Sequence, residues 1–322
     1  MTVSYYDWAV GYTPPEMKTE KPTPLGSDGF TPDQLRKRGY GNTVNESYPS
    51  YKIHSIARWD PAEELDKYLP VFQQPFHPPA DRKDLHPLIE YHPTAYRLPY
   101  GHEATLSARL DTSILLDHDR ALREMARAGH LPSRHIPLCT DVGANGYCRP
   151  STKRKAAGKK FEADRCAKEL EKQGDPASVN RCPGDIKCGF KFQGLWRNYL
   201  THHDAGYKSL GNEYRNAIAQ VRHYMVDVGH RTPKEREIVE NGEKVDVPEV
   251  GAKYGYIVTD EEVVLIRRVQ DALGHNSLQA TDGIPLRATP GLAMNGMLAL
   301  LLVHLLAADT RGWWIDNDRN DR

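Results

Sequence analysis

The sequence predicts an α/β core behind a proline-rich, irregular N-terminal extension, and three observations predict it. Many of the 23 prolines fall at or before Pro99. From Ala104 onward, helical and strand periodicities alternate. The chain then closes on a strongly apolar run, Leu292–Ala308. On this reading the 322 residues divide into an extended arm with short helices, 1–103, and a folded domain, 104–322.

The arm carries Thr13-Pro14-Pro15, Lys21-Pro22-Thr23-Pro24 and Gly26-Ser27-Asp28-Gly29, which is turn and linker chemistry. Thr31 before Pro32 is a helix-start signal. Pro61, followed by Leu65, Tyr68 and Leu69, is another. The Gln73–Pro99 segment is again rich in proline.

Within the domain, Thr112–Ala128 places Ile114, Leu115, Ala121, Met125 and Ala128 on one helical face. His135–Thr140 reads as a strand, and so does Val179–Phe192, entered through Pro183-Gly184. The segment FEADRCAKELEK from Phe161 reads as a charged helix. Glu213–Val228 is an amphipathic helix ended by Gly229. Thr232–Gly251 is a charged insertion, expected to be exposed. Tyr254–Val258 and Val263–Arg268 are two strands joined by a turn.

Bulk properties exclude several classes. Charged residues make up 27% and hydrophobic ones 39%, with a mean hydropathy of −0.66, as expected of a soluble protein. Met1–Gly11 has no basic start followed by an apolar run, so no signal peptide is expected. Leu292–Ala308 is short for a membrane span and contains Asn295, Gly296 and His304, so a buried helix is expected and no membrane partner. Five cysteines, an odd number, fit a reducing, intracellular setting, nuclear or cytoplasmic.

Basic and acidic residues both number 43, so a nucleic-acid partner needs a local patch. Arg149–Lys172 provides one: nine basic side chains, among them Lys153, Arg154, Lys155, Lys159 and Lys160, stand against four acidic ones. Such a segment is either a solvated face or a surface that neutralises phosphates and releases counterions.

The chemistry centres on Asp185-Ile186-Lys187. In a strand, Asp185 and Lys187 share a face. A carboxylate there can hold Mg²⁺ through oxygen, and a lysine beside it can orient water and offset charge in the transition state. On the Glu213–Val228 helix, Gln220 and Tyr224 lie one turn apart at the border of the apolar stripe, within reach of a sheet edge.

These residues occur in a longer order: Pro183-Gly184-Asp185-Ile186-Lys187, Phe190-Lys191-Phe192, Trp196-Arg197, the helix from Tyr214 to Tyr224, Tyr254 to Glu262, and Leu306–Asp309. That order resembles a group of fungal proteins with PD-(D/E)XK nuclease-like domains. The Gln220-to-Tyr224 spacing is similar to the helix motif of RecB-type nucleases. The resemblance covers about 181–309 and implies a restriction-endonuclease-like core, a mixed β-sheet flanked by helices that binds Mg²⁺ or Mn²⁺. It implies that Asp185 is the second acidic ligand and Lys187 the catalytic lysine. Gln220 would position water or the scissile phosphate, supported by Tyr224.

The family also has an earlier acid, usually at the end of a hydrophobic strand before the acid-x-Lys strand. Asp141, Glu162 and Asp164 are the candidates. Two functions follow from these residues. One is a metal-dependent nuclease that hydrolyses nucleic-acid phosphodiesters. The other is a catalytically inactive scaffold that binds nucleic acid or protein.

Zinc is the weaker cofactor expectation. Cys139, Cys148, Cys166, Cys182 and Cys188 form no C-x₂₋₄-C knuckle, although Cys182 and Cys188 could join His202 or His203. Trp313-Trp314 reads as an aromatic anchor for the tail.

Overall fold

Side-chain alternation sorts the central strands of the protein onto two apolar faces, and helices cover both. In the computed structural model the described residues are 2–17, 19, 53, 56–78, 103–142, 163–173, 178–201, 205–226, 235–240, 243–248 and 250–317. They begin with β1 (Val3–Ser4), α1 (Tyr5–Val10), β2 (Ile56–Arg58), α2 (Ala62–Phe72) and β3 (Pro75–Phe76). Next come α3 (Glu103–Asp111), α4 (Ile114–Arg127), β4 (Leu138–Val142), β5 (Arg165–Glu169), β6 (Gly184–Ile186) and α5 (Ala205–Val226). The rest are β7 (Glu235–Glu240), β8 (Glu243–Pro248), β9 (Val250–Ala252), β10 (Tyr254–Val258), β11 (Glu262–Gln270), β12 (Asn276–Ala280), β13 (Ile284–Pro285), α6 (Gly296–Ala308) and β14 (Trp314–Asp316).

The main sheet has eight strands in the order β2-β12-β11-β10-β6-β5-β4, with β13 paired to β11. It is mixed: β6 runs parallel to β10 and β2 parallel to β12, and the remaining pairs are antiparallel. Tyr254, Tyr256, Val258, Val263 and Leu265 pack on one face with α6, α4 and α1. Ile257, Val264 and Ile266 pack on the other with Tyr214, Ala217, Ile218, Val221 and Met225 of α5. A mixed sheet between helices is thus the architecture of the described residues.

Helix α6 is buried along its whole length, which is why its sequence is apolar on every side. Asn295 caps it: Oδ1 accepts from Leu298 N at 3.1 Å, and Nδ2 donates to Ala9 O at 2.7 Å. Among the described residues no helix is long and apolar enough to cross a membrane.

The described parts of 1–103 are not an extended arm. Tyr5, Ala9 and Phe72 are core residues, and β2 forms an edge of the main sheet. Tyr12 OH donates to Asp117 Oδ2 at 2.7 Å, so α1 is tied to α4 by a buried hydrogen bond as well as by packing. The Pro61 signal does mark the start of α2. The Thr31 signal lies outside the described residues, as do the Lys21–Gly29 turns.

Three expected elements change type or length. Residues 165–169 form strand β5 rather than a charged helix. Partners elsewhere in the fold accommodate its charges: Arg165 meets Asp111 at 2.7 Å, and Glu169 meets Arg181 at 3.1 Å. Tertiary pairing overrides the helical propensity of those side chains. The long strand expected at Val179–Phe192 shortens to Gly184–Ile186. The chain turns away after Cys188 because Asp260 Oδ1 takes the Gly189 N–H at 2.6 Å, replacing a strand partner. The helix expected from Glu213 begins earlier, at Ala205. Within Thr232–Gly251, β7 and β8 pair antiparallel, Glu235 matched with Pro248.

Candidate active site

Strand β6 brings the acid-x-Lys motif into the middle of the sheet, between β5 and β10. Gly184 permits this, because the Tyr256 ring occupies the space where a Cβ would stand. Ile186 joins the core on the α6 side. Its neighbour Asp185 points to the other face, where Gln220 Nε2 of α5 donates to Asp185 Oδ1 at 3.4 Å. Gln220 Nε2 also donates to Tyr224 OH at 2.9 Å, one helical turn on. Lys187 returns to the Asp185 side, with Nζ 2.7 Å from Asp185 Oδ2. The structure therefore brings Asp185, Lys187, Gln220 and Tyr224 together.

Register supplies the next member. Arg165 is matched with Gly184 in the antiparallel β5–β6 pair, so Asp164 falls opposite Asp185. Asp164 Oδ2 accepts from Ile186 N at 2.8 Å, which holds its carboxylate beside β6. Tyr224 packs on Ala163, so α5 also covers the residue before Asp164. Asp141 is matched with Cys166, which places it on the same face as Asp164 but diagonally displaced. Diagonal neighbours are about 7–8 Å apart, so Asp164 stands nearer to Asp185 than Asp141 does. Glu162 and the basic residues Lys153, Arg154, Lys155, Lys159 and Lys160 lie outside the described residues.

Electrostatics at this point are tense. Asp185 is fully buried. Burial pushes its carboxyl well above the usual carboxylate range, the Asp164 carboxylate pushes it further, and the Lys187 ammonium opposes both. For Lys187, burial favours the neutral amine, but Asp185, Glu103 and Asp164 outweigh it and hold the ammonium above its ordinary range. Two like charges at such contact cannot both persist unless a proton or a cation lies between them.

Glu103, in the first turn of α3, is a member that sequence reasoning missed. Its carboxylate lies 4.0 Å from Lys187 Nζ and 3.3 Å from Lys191 Nζ. No periodicity links it to Asp185 across the intervening chain, and only the packing of α3 near β6 brings it there.

The donor set suits a hard cation in that Asp164 and Asp185 supply carboxylate oxygen, while Gln220 turns its amide N–H toward Asp185. Among the described residues no group of three or more His, Cys, Asp or Glu side chains converges, so Asp164 and Asp185 are the acids that this fit rests on. Cys139, Cys166, Cys182 and Cys188 are buried free thiols. Burial raises them, Cys166 to about 11 and Cys188 to about 12, so without a metal they are held as neutral thiols. Cys148, His202 and His203 lie outside the described residues. Trp313 packs against the α5-side core with Arg181 over its ring at 4.7 Å, whereas Trp314 is partly exposed.

Comparison with protein-family models, with curated proteins and with solved structures found no match to the chain.

Proposed function

We propose that this chain is a metal-dependent phosphodiesterase acting on nucleic acid, built on a restriction-endonuclease-like core. The observation that carries the reading is Asp164 standing opposite Asp185, with Lys187 and Gln220 at the same carboxylate. It supplies what the PD-(D/E)XK resemblance requires and what the motif alone lacks: an acid preceding the acid-x-Lys strand, on its neighbour in the sheet. The mixed sheet between helices supports the same reading.

Asp164 and Asp185 would hold Mg²⁺ or Mn²⁺, which when bound supplies Lewis-acid stabilisation of a phosphoryl oxygen and acidifies bound water. Lys187 offsets negative charge as the water oxygen bonds to phosphorus and the P–O ester bond breaks, the water's proton passing to the departing oxygen. Gln220 holds Asp185 in orientation, and Tyr224 holds Gln220. Single- and double-stranded DNA and RNA, incubated with Mg²⁺ or Mn²⁺, test the reading. Cleavage that EDTA stops supports it, and its absence across all four substrates with both metals rejects it.

The inactive scaffold is the second reading, and one observation favours it. Asp185 and Lys187 are closed upon each other and buried. That reading expects nucleic-acid or protein binding with no cleavage under any of those conditions.

A further inference from the structure

Two lysines of the site, Lys187 buried and Lys191 mostly so, converge on one carboxylate from a different element. Glu103 Oε1 lies 3.3 Å from Lys191 Nζ and Glu103 Oε2 lies 4.0 Å from Lys187 Nζ. The lysine side chains are 9% and 5% exposed, whereas that of Glu103 is 37% exposed. An ammonium removed from water needs an anion close by. Lys187 has Asp185 at 2.7 Å, and Glu103 is an anion for Lys191 approached from the solvent side.

Lys191 is also firmly placed. It ends the short turn Gly189–Lys191, which begins where Asp260 Oδ1 accepts from Gly189 N at 2.6 Å. The same carboxylate accepts from Thr19 N at 2.6 Å and Thr19 Oγ1 at 2.7 Å, so three donors hold it. The turn that presents Lys191 is thereby clamped, while its counter-ion stands on the more accessible side. A carboxylate between two ammonium groups occupies the kind of place a phosphate takes, and a phosphate's several oxygens can serve both cations at once.

We propose that Lys191 is a second phosphate-binding cation of this site, and that Glu103 is its resident counter-ion, displaced when a nucleic-acid phosphate enters. The identity of the ligand rests on the phosphodiesterase reading. No covalent step is involved. Glu103 raises the threshold for anion entry, because its departure leaves the pocket one unit more positive.

Glu103→Gln and Lys191→Met test this in EDTA, where cleavage is suppressed. Binding of a fluorescent single-stranded oligonucleotide is followed by anisotropy over a range of salt, alongside calorimetric titration with inorganic phosphate. Glu103→Gln is expected to tighten both ligands by about tenfold, the scale of one close charge. Lys191→Met is expected to weaken the oligonucleotide by a similar factor and to lower the salt slope by about one. Should Lys191→Met fail to fold, Lys191→Arg must retain wild-type affinity, and the Glu103→Gln arm stands by itself. If the wild type cleaves nucleic acid while both variants bind as it does, this inference is overturned and the phosphodiesterase reading survives. If there is no cleavage and Glu103→Gln gains no affinity for either ligand, both are overturned. Tighter phosphate binding by Glu103→Gln without any cleavage supports the anion pocket and rejects the enzyme.

Discussion

Asp164 and Asp185 face each other across antiparallel strands, one step beyond the matched pair Arg165 and Gly184. Both carboxylates also lie in the field of a single buried ammonium, that of Lys187. This arrangement makes cation binding a proton-releasing event. Burial and the Asp164 carboxylate raise the Asp185 carboxyl well above the usual range, so any proton it holds must leave when Mg²⁺ or Mn²⁺ enters. Calorimetric titrations with Mn²⁺ in buffers of different ionisation enthalpy are expected to show that release. Asp164→Asn should abolish it and weaken the cation by roughly 10–100-fold, the range seen when support for a metal site is lost. Binding heats that do not vary with buffer would exclude a proton-sharing metal pair.

The same pair sets a stability trend with pH. The folded pKa of Asp185 is raised, so its contribution is fully present below the ordinary carboxylate range and is lost as pH rises through the folded value. Asp164→Asn removes the repulsion, and its amide oxygen can still accept from Ile186 N. Without added metal, the variant is expected to be more stable than wild type at pH 7 by on the order of 1 kcal/mol. That advantage should shrink below pH 4. Urea titrations at both pH values check it, and a larger advantage at the lower pH would contradict the assignment.

Lys187→Ala is expected to reduce cleavage by about 10²–10³-fold, the usual scale for one transition-state charge contact. It should also lower stability, because a buried carboxylate loses the ammonium 2.7 Å away. The double variant Lys187→Ala/Asp185→Asn is expected to recover much of that stability and none of the activity. Recovered cleavage in the double variant would place the chemistry elsewhere.

A buried histidine pair governs acid sensitivity. His118 and His304 lie tilted against each other between α4 and α6 with ring centroids 4.5 Å apart, and Tyr256 lies against His304 at 5.4 Å. His304 Nδ1 meets Leu300 O at 2.8 Å. Burial holds His118 well below its ordinary value and His304 at about 4, with Arg165 acting in the same direction on both and Asp119 opposing it at His304. A depressed folded pKa gives stability that is present above the unfolded value and lost as pH falls toward the folded one. Melting temperature is therefore expected to fall between about pH 6.5 and pH 4. His118→Leu, of similar size and with no proton to gain, should flatten that fall. An unchanged slope would show that other groups control it.

Gly184 is set by contact rather than by backbone angle. Gly184→Ala would put a methyl into the Tyr256 ring, and the strain is expected to lower stability by about 1–3 kcal/mol. Tyr256→Leu in the same chain should recover part of it, measurable by denaturant unfolding. A Gly184→Ala protein as stable as wild type would mean that the ring moves aside freely.

Much of the local structure was legible in the sequence by itself. Period 3.6 marked the apolar face of Glu213–Val228, part of a helix that begins earlier, at Ala205, and placed Gln220 one turn from Tyr224. Period 2 put Asp185 and Lys187 on one side of the backbone, and the strongly apolar run Leu292–Ala308 marked a buried helix, which forms over Gly296–Ala308. These features depend on neighbours a few residues away, and local sterics and solvation decide them.

Tertiary structure decided the rest. Residues 165–169 carry helix-compatible charges, yet pairing with β4 and β6 makes them a strand. Only that pairing selects Asp164, rather than Asp141, as the acid opposite Asp185. Glu103 reaches Lys191 because α3 packs against the core through Leu106 and Leu110. The described N-terminal residues join the core for the same reason: Tyr5 and Phe76 bury each other, stacked at 4.5 Å. Strand register and helix placement are settled by which apolar surfaces leave water together, a property of distant segments jointly that no short window of sequence contains.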